Sequence, residues 1–333
     1  MFKTRFISML VLLAAVVTGA MAQETYKVSV KEGTEDATSW TIAPAEATTT
    51  GVAAGTEVKA TYGGMKKVKS VKAVKKAPAG NPAPTTASIE DYTAGTFGWD
   101  GDGSAATGLP TINTFAANDK ISILSVKNTN TQFTTSAGGA SADFTGTATD
   151  DSKFYAVYPY TDGLALSGDV ISGVVIPTDQ WNSNWNSEGN FSGWDPKAPI
   201  AYATTTGSSL TFHNACAILK VTFPNAGVYG RFTISAIEPL AGTFSLDTST
   251  GTLTPTSGST TVTVGDPSDI YSGICTYFSG KTVYVAIAPG TYTGFKLHLY
   301  NEDNKDKPIT KSGSVTFEAG KIYDLGSYDL WEL

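Results

Sequence analysis

The stretch at residues 210–223, LTFHNACAILKVTF, constrains the fold of this chain more than any other. It opens with Leu210 and Phe212 apolar against Thr211 and His213 polar, then continues with Ala217, Leu219, Val221 and Phe223 apolar. The apolar face has changed parity. Side chains on a strand alternate with period two, so one straight strand cannot carry both faces. Either a bulge absorbs the odd residue, or one strand ends and another begins around 213–215. Everything after the slip alternates and turns like an antiparallel sandwich, and everything before it is looser and richer in insertions. The stretch is expected to start the last domain.

The chain begins with an export signal. Lys3 and Arg5 form a positive start, residues 7–17 are apolar, and Ala20-Met21-Ala22 is a small-residue cleavage site that leaves Gln23 first. The apolar run is shorter than the roughly 20 residues a membrane span needs, and no later stretch is long enough, so no transmembrane segment is expected in the mature chain. No cysteine lies near Gln23, so there is no lipid-attachment site there. The signal holds two basic and no acidic residues, so its removal takes the formal net charge from −7 to −9. An acidic chain of this kind argues against nucleic acid or an anionic membrane as partner. Abundant Thr, Ser and Gly with only 16% charged residues fit an exported all-β protein.

Residues 23–76 read as a small β-rich module. Tyr26, Val28 and Val30 alternate, Trp40 and Ile42 begin another strand, and Val58, Ala60 and Tyr62 a third. The tail carries Lys66, Lys67, Lys69, Lys72, Lys75 and Lys76, the pattern of a solvated basic strand and linker. Residues 77–88, APAGNPAPTTAS, read as an extended Pro/Ala/Thr linker. A second unit spans 89–205, with strands expected at 120–126, 154–160, 170–176 and 199–203. Between the last two lies a polar loop with Trp181, Trp185, Phe191 and Trp194. A third unit spans 206–333, where strands recur every 8 to 15 residues with no helical period, a Greek-key pattern.

No catalytic constellation stands out. The two histidines, His213 and His298, are 85 positions apart, and His298 sits on the polar face of an alternating strand. Metal-ligand spacing, a nucleophile elbow and a phosphate-cradling glycine loop are missing from the sequence. Three weaker candidates remain. Asp100, Asp102 and Ser104 alternate as in a calcium loop but lack the distal Glu, and the plainer reading is an Asp-Gly turn. Trp181, Trp185 and Trp194, beside Asp179, Asn182 and Asp195, could stack on sugar faces, or fold back to cover a sheet edge. Cys216 and Cys275 could pair in an oxidising compartment or remain buried thiols.

Several segments carry a resemblance through their order and spacing: FYAVYPY at 154–160, IPTDQ at 176–180 leading to PIAYA at 199–203, and LTFHNACAILKVTF at 210–223. AGTFSLDTSTGTLT at 241–254, AIAPGTYTGFKLHLY at 286–300 and SVTFEAGKIYDL at 314–325 follow. From about Gly98 to Leu325 the chain resembles the Mfa-like fimbrillins, surface pilus subunits and tip adhesins of Gram-negative anaerobes. The resemblance implies two tandem transthyretin-like antiparallel β-sandwich domains, at 89–205 and 206–333, after the small module. It implies a fimbrial or adhesive role without catalysis or cofactor, at the cell surface, outer membrane or fimbrium. Partners would be other subunits or further copies, joined by strand addition, and surface glycans or proteins of host or bacteria. The chain departs from the family in three ways: it lacks the lipid-attachment cysteine, it has the extra module, and its only arginine after the signal is Arg231. Arg-specific maturation therefore has no evident target, and a Lys-directed cut at 66–76 is the expected alternative.

Overall fold

A computed structural model describes residues 81–333 except 102, 110–113, 181–192, 194, 196, 225–228, 266–275, 278–279, 302–305 and 331–333, together with the backbone of seven strands in the first 80 residues. Two compact units result, Met1–Ala79 and Gly80–Leu333. All regular structure described is β, as the alternation predicts; no helix among the described residues is long and apolar enough to cross a membrane.

In the first unit, β1 (Met9–Val16) pairs antiparallel with β2 (Thr25–Glu32), which β3 (Glu35–Asp36) and β5 (Val52–Ala53) also border. A second sheet orders β4 (Trp40–Ala43), β6 (Glu57–Tyr62) and β7 (Val68–Lys72). The lysine-rich tail is thus a strand as far as Lys72, with Val71 opposite Val58. β1 is the apolar run of the expected signal; Ala22 and Gln23 lie outside the described residues.

The second unit begins with a closed barrel. Its strands are β8 (Thr86–Ile89), β12 (Lys120–Leu124), β13 (Thr131–Thr135), β14 (Ser141–Thr145), β15 (Phe154–Tyr158), β18 (Ala201–Thr205) and β19 (Ser209–Asn214), in the order β12-β13-β14-β8-β19-β18-β15. Every neighbour is antiparallel except β8 and β19. Three residues of β8 come from the stretch read as linker. Its burial alternates, with Ala87 and Ile89 inward. Phe115, Phe133, Phe144, Phe154 and Phe212 fill the interior with Ile121, Ile123 and Leu210, while Ala156, Ala201 and Ala203 make room for the rings.

The parity slip is a change of sheet. β19 buries Leu210 and Phe212 in the barrel; β20 (Ala217–Phe223) buries Leu219, Val221 and Phe223 in a second, larger core. A bulge is not needed, because the strand stops. Ala215 N–H donates to Ile200 O at 2.8 Å and Gly320 N–H to Cys216 O at 2.9 Å, so these two residues belong to neither ladder.

Around the second core, β26 (Lys281–Ile287), β20, β31 (Lys321–Ser327) and β9 (Thr93–Ala94) form one sheet. A second sheet orders β24 (Thr261–Val264), β21 (Tyr229–Ser235), β28 (Lys296–Asn301) and β29 (Asp306–Thr310), with β25 (Thr276–Tyr277) also on β21. A third contains β16 (Ala165–Ser167), β17 (Val170–Ile176), β22 (Ala241–Asp247) and β23 (Thr252–Ser259). The hairpins β10 (Thr96–Phe97) with β11 (Ser104–Ala105), and β27 (Gly290–Thr293) with β30 (Ser314–Phe317), complete it. Strands from 89–205 and 206–333 interleave: β9 joins a sheet of later strands, β16 and β17 share a sheet with β22 and β23, and β19 is part of the barrel. The β20–β31 and β31–β9 pairs are parallel. Lys220 Nζ sits 2.7 Å from Asp324 Oδ2 across the first of these, partly buried.

Candidate functional site

The strand that closes the barrel is short and comes first in sequence. β8 pairs on one side with β14 through Thr86, Ala87 and Ser88, and on the other with β19 through Thr86 to Ile89. The incoming chain is held at Asn81, whose carbonyl accepts from Asp151 N–H at 3.1 Å and whose side-chain amide donates to Thr206 O. At the far end, Glu90 N–H donates to Phe212 O at 3.0 Å and Asn214 Nδ2 to Glu90 O at 3.0 Å. Withdrawing β8 would uncover the groove beneath Ala87 and Ile89 and leave one edge each of β14 and β19 unpaired.

Asp151 organises the start of this segment. It accepts from Lys127 N–H at 2.8 Å and from its neighbour Ser152 N–H at 2.7 Å. Burial, the largest influence, raises its pKa; the Ser152 and Lys127 backbone donors, the Ser125 hydroxyl and the Lys127 ammonium together outweigh it and hold the carboxyl below its usual range. A depressed folded pKa stabilises the fold above the unfolded value of about 3.9, and that stabilisation is lost as pH falls through the folded value. Asp151→Asn is expected to lower stability at pH 7 and to flatten its fall between about pH 4 and pH 2. Parallel acid unfolding curves for the two proteins would remove Asp151 from this role.

The candidates from sequence are scattered. Trp181, Trp185 and Trp194 lie outside the described residues, but Gln180 and Gly193, which flank the first two, are fixed. Gln180, 2% exposed, turns its carboxamide onto the outer edge of β26: Nε2 donates to Ala286 O at 2.7 Å and Oε1 accepts from Ala286 N–H at 2.8 Å. Its backbone N–H donates to Thr263 O at 2.9 Å. Gly193 O accepts from Tyr284 N–H at 2.8 Å on the same edge, and a Cβ at Gly193 would lie 2.3 Å from Thr282 O, so only glycine fits there. Gln180 ends the IPTDQ segment, yet nothing local marks a glutamine as a substitute for a neighbouring strand.

Asp100 and Ser104 belong to the β10–β11 hairpin, with Phe97 opposite Ser104; Asp102 is outside the described residues. Trp99 anchors this turn: its Nε1–H reaches Leu325 O at 2.8 Å and Tyr328 Oη at 2.9 Å, and its ring stacks on Phe295 at 5.9 Å. Among the described residues no group of three or more His, Cys, Asp and Glu could hold a metal ion. Cys216 is a fully buried free thiol that accepts from Ile200 N–H, and burial pushes its pKa up to about 12; Cys275 is outside the described residues.

His213 pairs with Glu90 Oε2 at 2.9 Å, both half exposed. His298, read as solvent-facing, is half-buried between Asp306 and Tyr300, whose hydroxyl is 3.0 Å from Nδ1. Arg231 stacks its guanidinium on the Tyr300 ring at 3.9 Å and lies inside β21, hydrogen-bonded to β28, which removes it as a protease target. Two surface grooves of about 470 Å³ are also present. One runs beside Val126 and β16, and the other lies between Lys120, Tyr160 and Pro177.

No protein-family model and no curated relative matches the chain. Solved structures do. The chain is similar to a candidate cell adhesion protein from Bacteroides uniformis at 18% identity and a TM-score of 0.44, over 65% of this chain and 88% of that one. It is similar to a candidate cell adhesion protein from Bacteroides ovatus at 13% identity and a TM-score of 0.41, over 75% and 93% of the two chains. A fimbrial protein from Bacteroides ovatus matches at 12% identity and a TM-score of 0.29, over 75% and 50%.

Proposed function

We propose that this chain is a fimbrillin-like cell-surface protein, a structural or adhesive component of fimbriae that assembles by strand addition and acts through its surfaces without chemistry of its own. The observation that carries the reading is β8: four residues, first in the barrel, held between β14 and β19 with alternate side chains inward. A strand from a neighbouring subunit with the same alternation could take its place, supplying main-chain hydrogen bonds and two apolar side chains.

The sequence limits how β8 could be released. From Ala77 to Asp119 there is no lysine or arginine. A cut among the lysines of the 66–76 tail would free the first module and leave β8 attached. N-terminal sequencing of surface-purified protein separates the outcomes. A start at Gln23 means no maturation beyond the signal, a start between 67 and 77 means loss of the module alone, and a start beyond Ile89 means loss of β8. Strand addition at this site is expected to give the last together with SDS-resistant ladders. Ladders from protein that retains β8 would sink this site as the acceptor.

A second reading is glycan binding by Trp181, Trp185 and Trp194. It is favoured by the fixing of Gln180 and Gly193, which flank Trp181 and Trp185 and adjoin Trp194, to the edge of β26.

A further inference from the structure

The groove lined by Lys120 and Tyr160 belongs to neither reading above. It lies where the ends of β12 and β15 meet the end of β17, and its volume of about 470 Å³ is in the range of small-ligand sites. Its apolar lining is the rings of Tyr160, Pro159 and Pro177, with Val175, which is 42% exposed. Its lining also includes two exposed lysines, Lys120 and Lys197, neither with a salt-bridge partner among the described residues, although Lys197 is close enough to Asp195 for its charge to act on that carboxyl.

Asp119 also lines the groove, with one of its carboxylate oxygens engaged within the fold. Its Oδ2 accepts from the buried Tyr158 hydroxyl at 2.7 Å and from Ala116 N–H at 2.7 Å. Apolar rings lining the same groove as two exposed lysines, in a chain of net charge −7, form a site for a small anion with an apolar face.

We propose that this groove binds a carboxylated sugar, with the C–H face of the pyranose ring against Tyr160 and the prolines and its carboxylate between Lys120 and Lys197. Hydroxyls of the same ring reach Asn118 and Thr161 at the margin. An acidic peptide fits less well. The walls at Lys120 and Tyr158 come from strands already hydrogen-bonded on both sides, and the Lys120 carbonyl is taken by Tyr160 N–H at 2.8 Å, so neither offers a free backbone edge.

The test is an NMR titration of the full-length protein with glucuronic acid, with glucose as the neutral control. Glucuronate is expected to bind in the millimolar range or tighter, roughly tenfold better than glucose. The Lys120→Ala/Lys197→Ala variant, whose changes are on the surface, should melt like the parent and bind glucuronate no better than glucose. Tyr160→Ala should weaken both sugars, and about 0.5 M salt should weaken glucuronate alone. Trp185→Ala should leave glucuronate binding unchanged, which separates this groove from the tryptophan segment, and a monomer that never polymerises should bind equally well. Equal affinity for the two sugars, no binding of either, tighter binding of an Asp-rich hexapeptide, or loss on Trp185→Ala would each overturn the proposal.

Discussion

Phe212→Ala is expected to destabilise the barrel by about 3–5 kcal/mol, the range for removing a fully buried aromatic ring. Phe212 is 0% exposed and meets Phe115 and Tyr158 edge-on, with ring centroids at 6.1 and 6.3 Å. Its neighbour across the parallel pair is Ile89 of β8, so the vacated space opens directly beneath the strand that closes the barrel. The alanines at 156, 201 and 203 have no side chain to extend into the gap, so collapse around it is limited. The informative control is Thr211→Ala one position earlier, on the exposed side of β19, where a change within about 0.5 kcal/mol is expected. Denaturant unfolding read by near-UV dichroism measures both, and amide exchange at residues 86–89 should rise in the first variant alone. A Thr211 variant as damaged as the Phe212 one would mean that β19 does not present the parity described.

The same parity was the most legible part of the chain. Residues 210–223 announce a change of face, and the structure places a change of sheet there, across Ala215 and Cys216. Alternation also exposed β26 and β28, while β15 and β17 were legible as runs ended by Pro159 and Pro177; β15 is buried on both faces, Phe154 and Ala156 in the barrel and Tyr155 and Val157 in the second core. The strands β13, TQFTT, and β14, SADFT, were not legible. Each brings one phenylalanine inward and otherwise uses Thr, Ala, Gln, Ser or Asp, a composition shared with loops.

β8 was harder still. Four residues, TASI, follow a proline-rich stretch and become a strand only because β14 and β19 stand on either side, β19 more than 120 positions later. Parallel pairing of such distant segments leaves no local signature. The candidate surfaces follow the same division. The Asp-Gly turn after Trp99 is visible in sequence, whereas the groove that unites Lys120, Tyr160, Pro177 and Lys197 exists only once β12, β15 and β17 are brought together.

Gln180→Glu should show how much the second core depends on one side-chain amide. In the parent, Nε2 donates to Ala286 O and to Pro177 O, at 2.7 and 3.0 Å, and Oε1 accepts from Ala286 N–H. A carboxylate keeps the last bond, loses both donors and sets a buried negative charge against two carbonyl oxygens, so a loss of about 3–5 kcal/mol at pH 7 is expected. The loss should depend on pH, with a definite sign. Burial and the facing carbonyls raise the folded pKa of the introduced carboxyl above its unfolded value of about 4.3. Between the two values the folded state holds a proton that the unfolded state has released, so stability falls as pH rises. Below about pH 4 the acid is neutral in both states and can donate one hydrogen bond, so the gap to the parent should narrow.

Gln180→Ala separates charge from lost bonding. It should cost about 2–3 kcal/mol, by leaving Ala286 N–H and C=O without their partner, with no such pH dependence. Melting temperatures of parent and both variants at pH 4 and pH 7 make the comparison. If the glutamate variant is no worse than the alanine one at pH 7, the carboxamide is not acting as the neighbouring strand of β26. The tryptophan-bearing segment would then lose one of its two attachments to that edge, and with it half the support for a binding role.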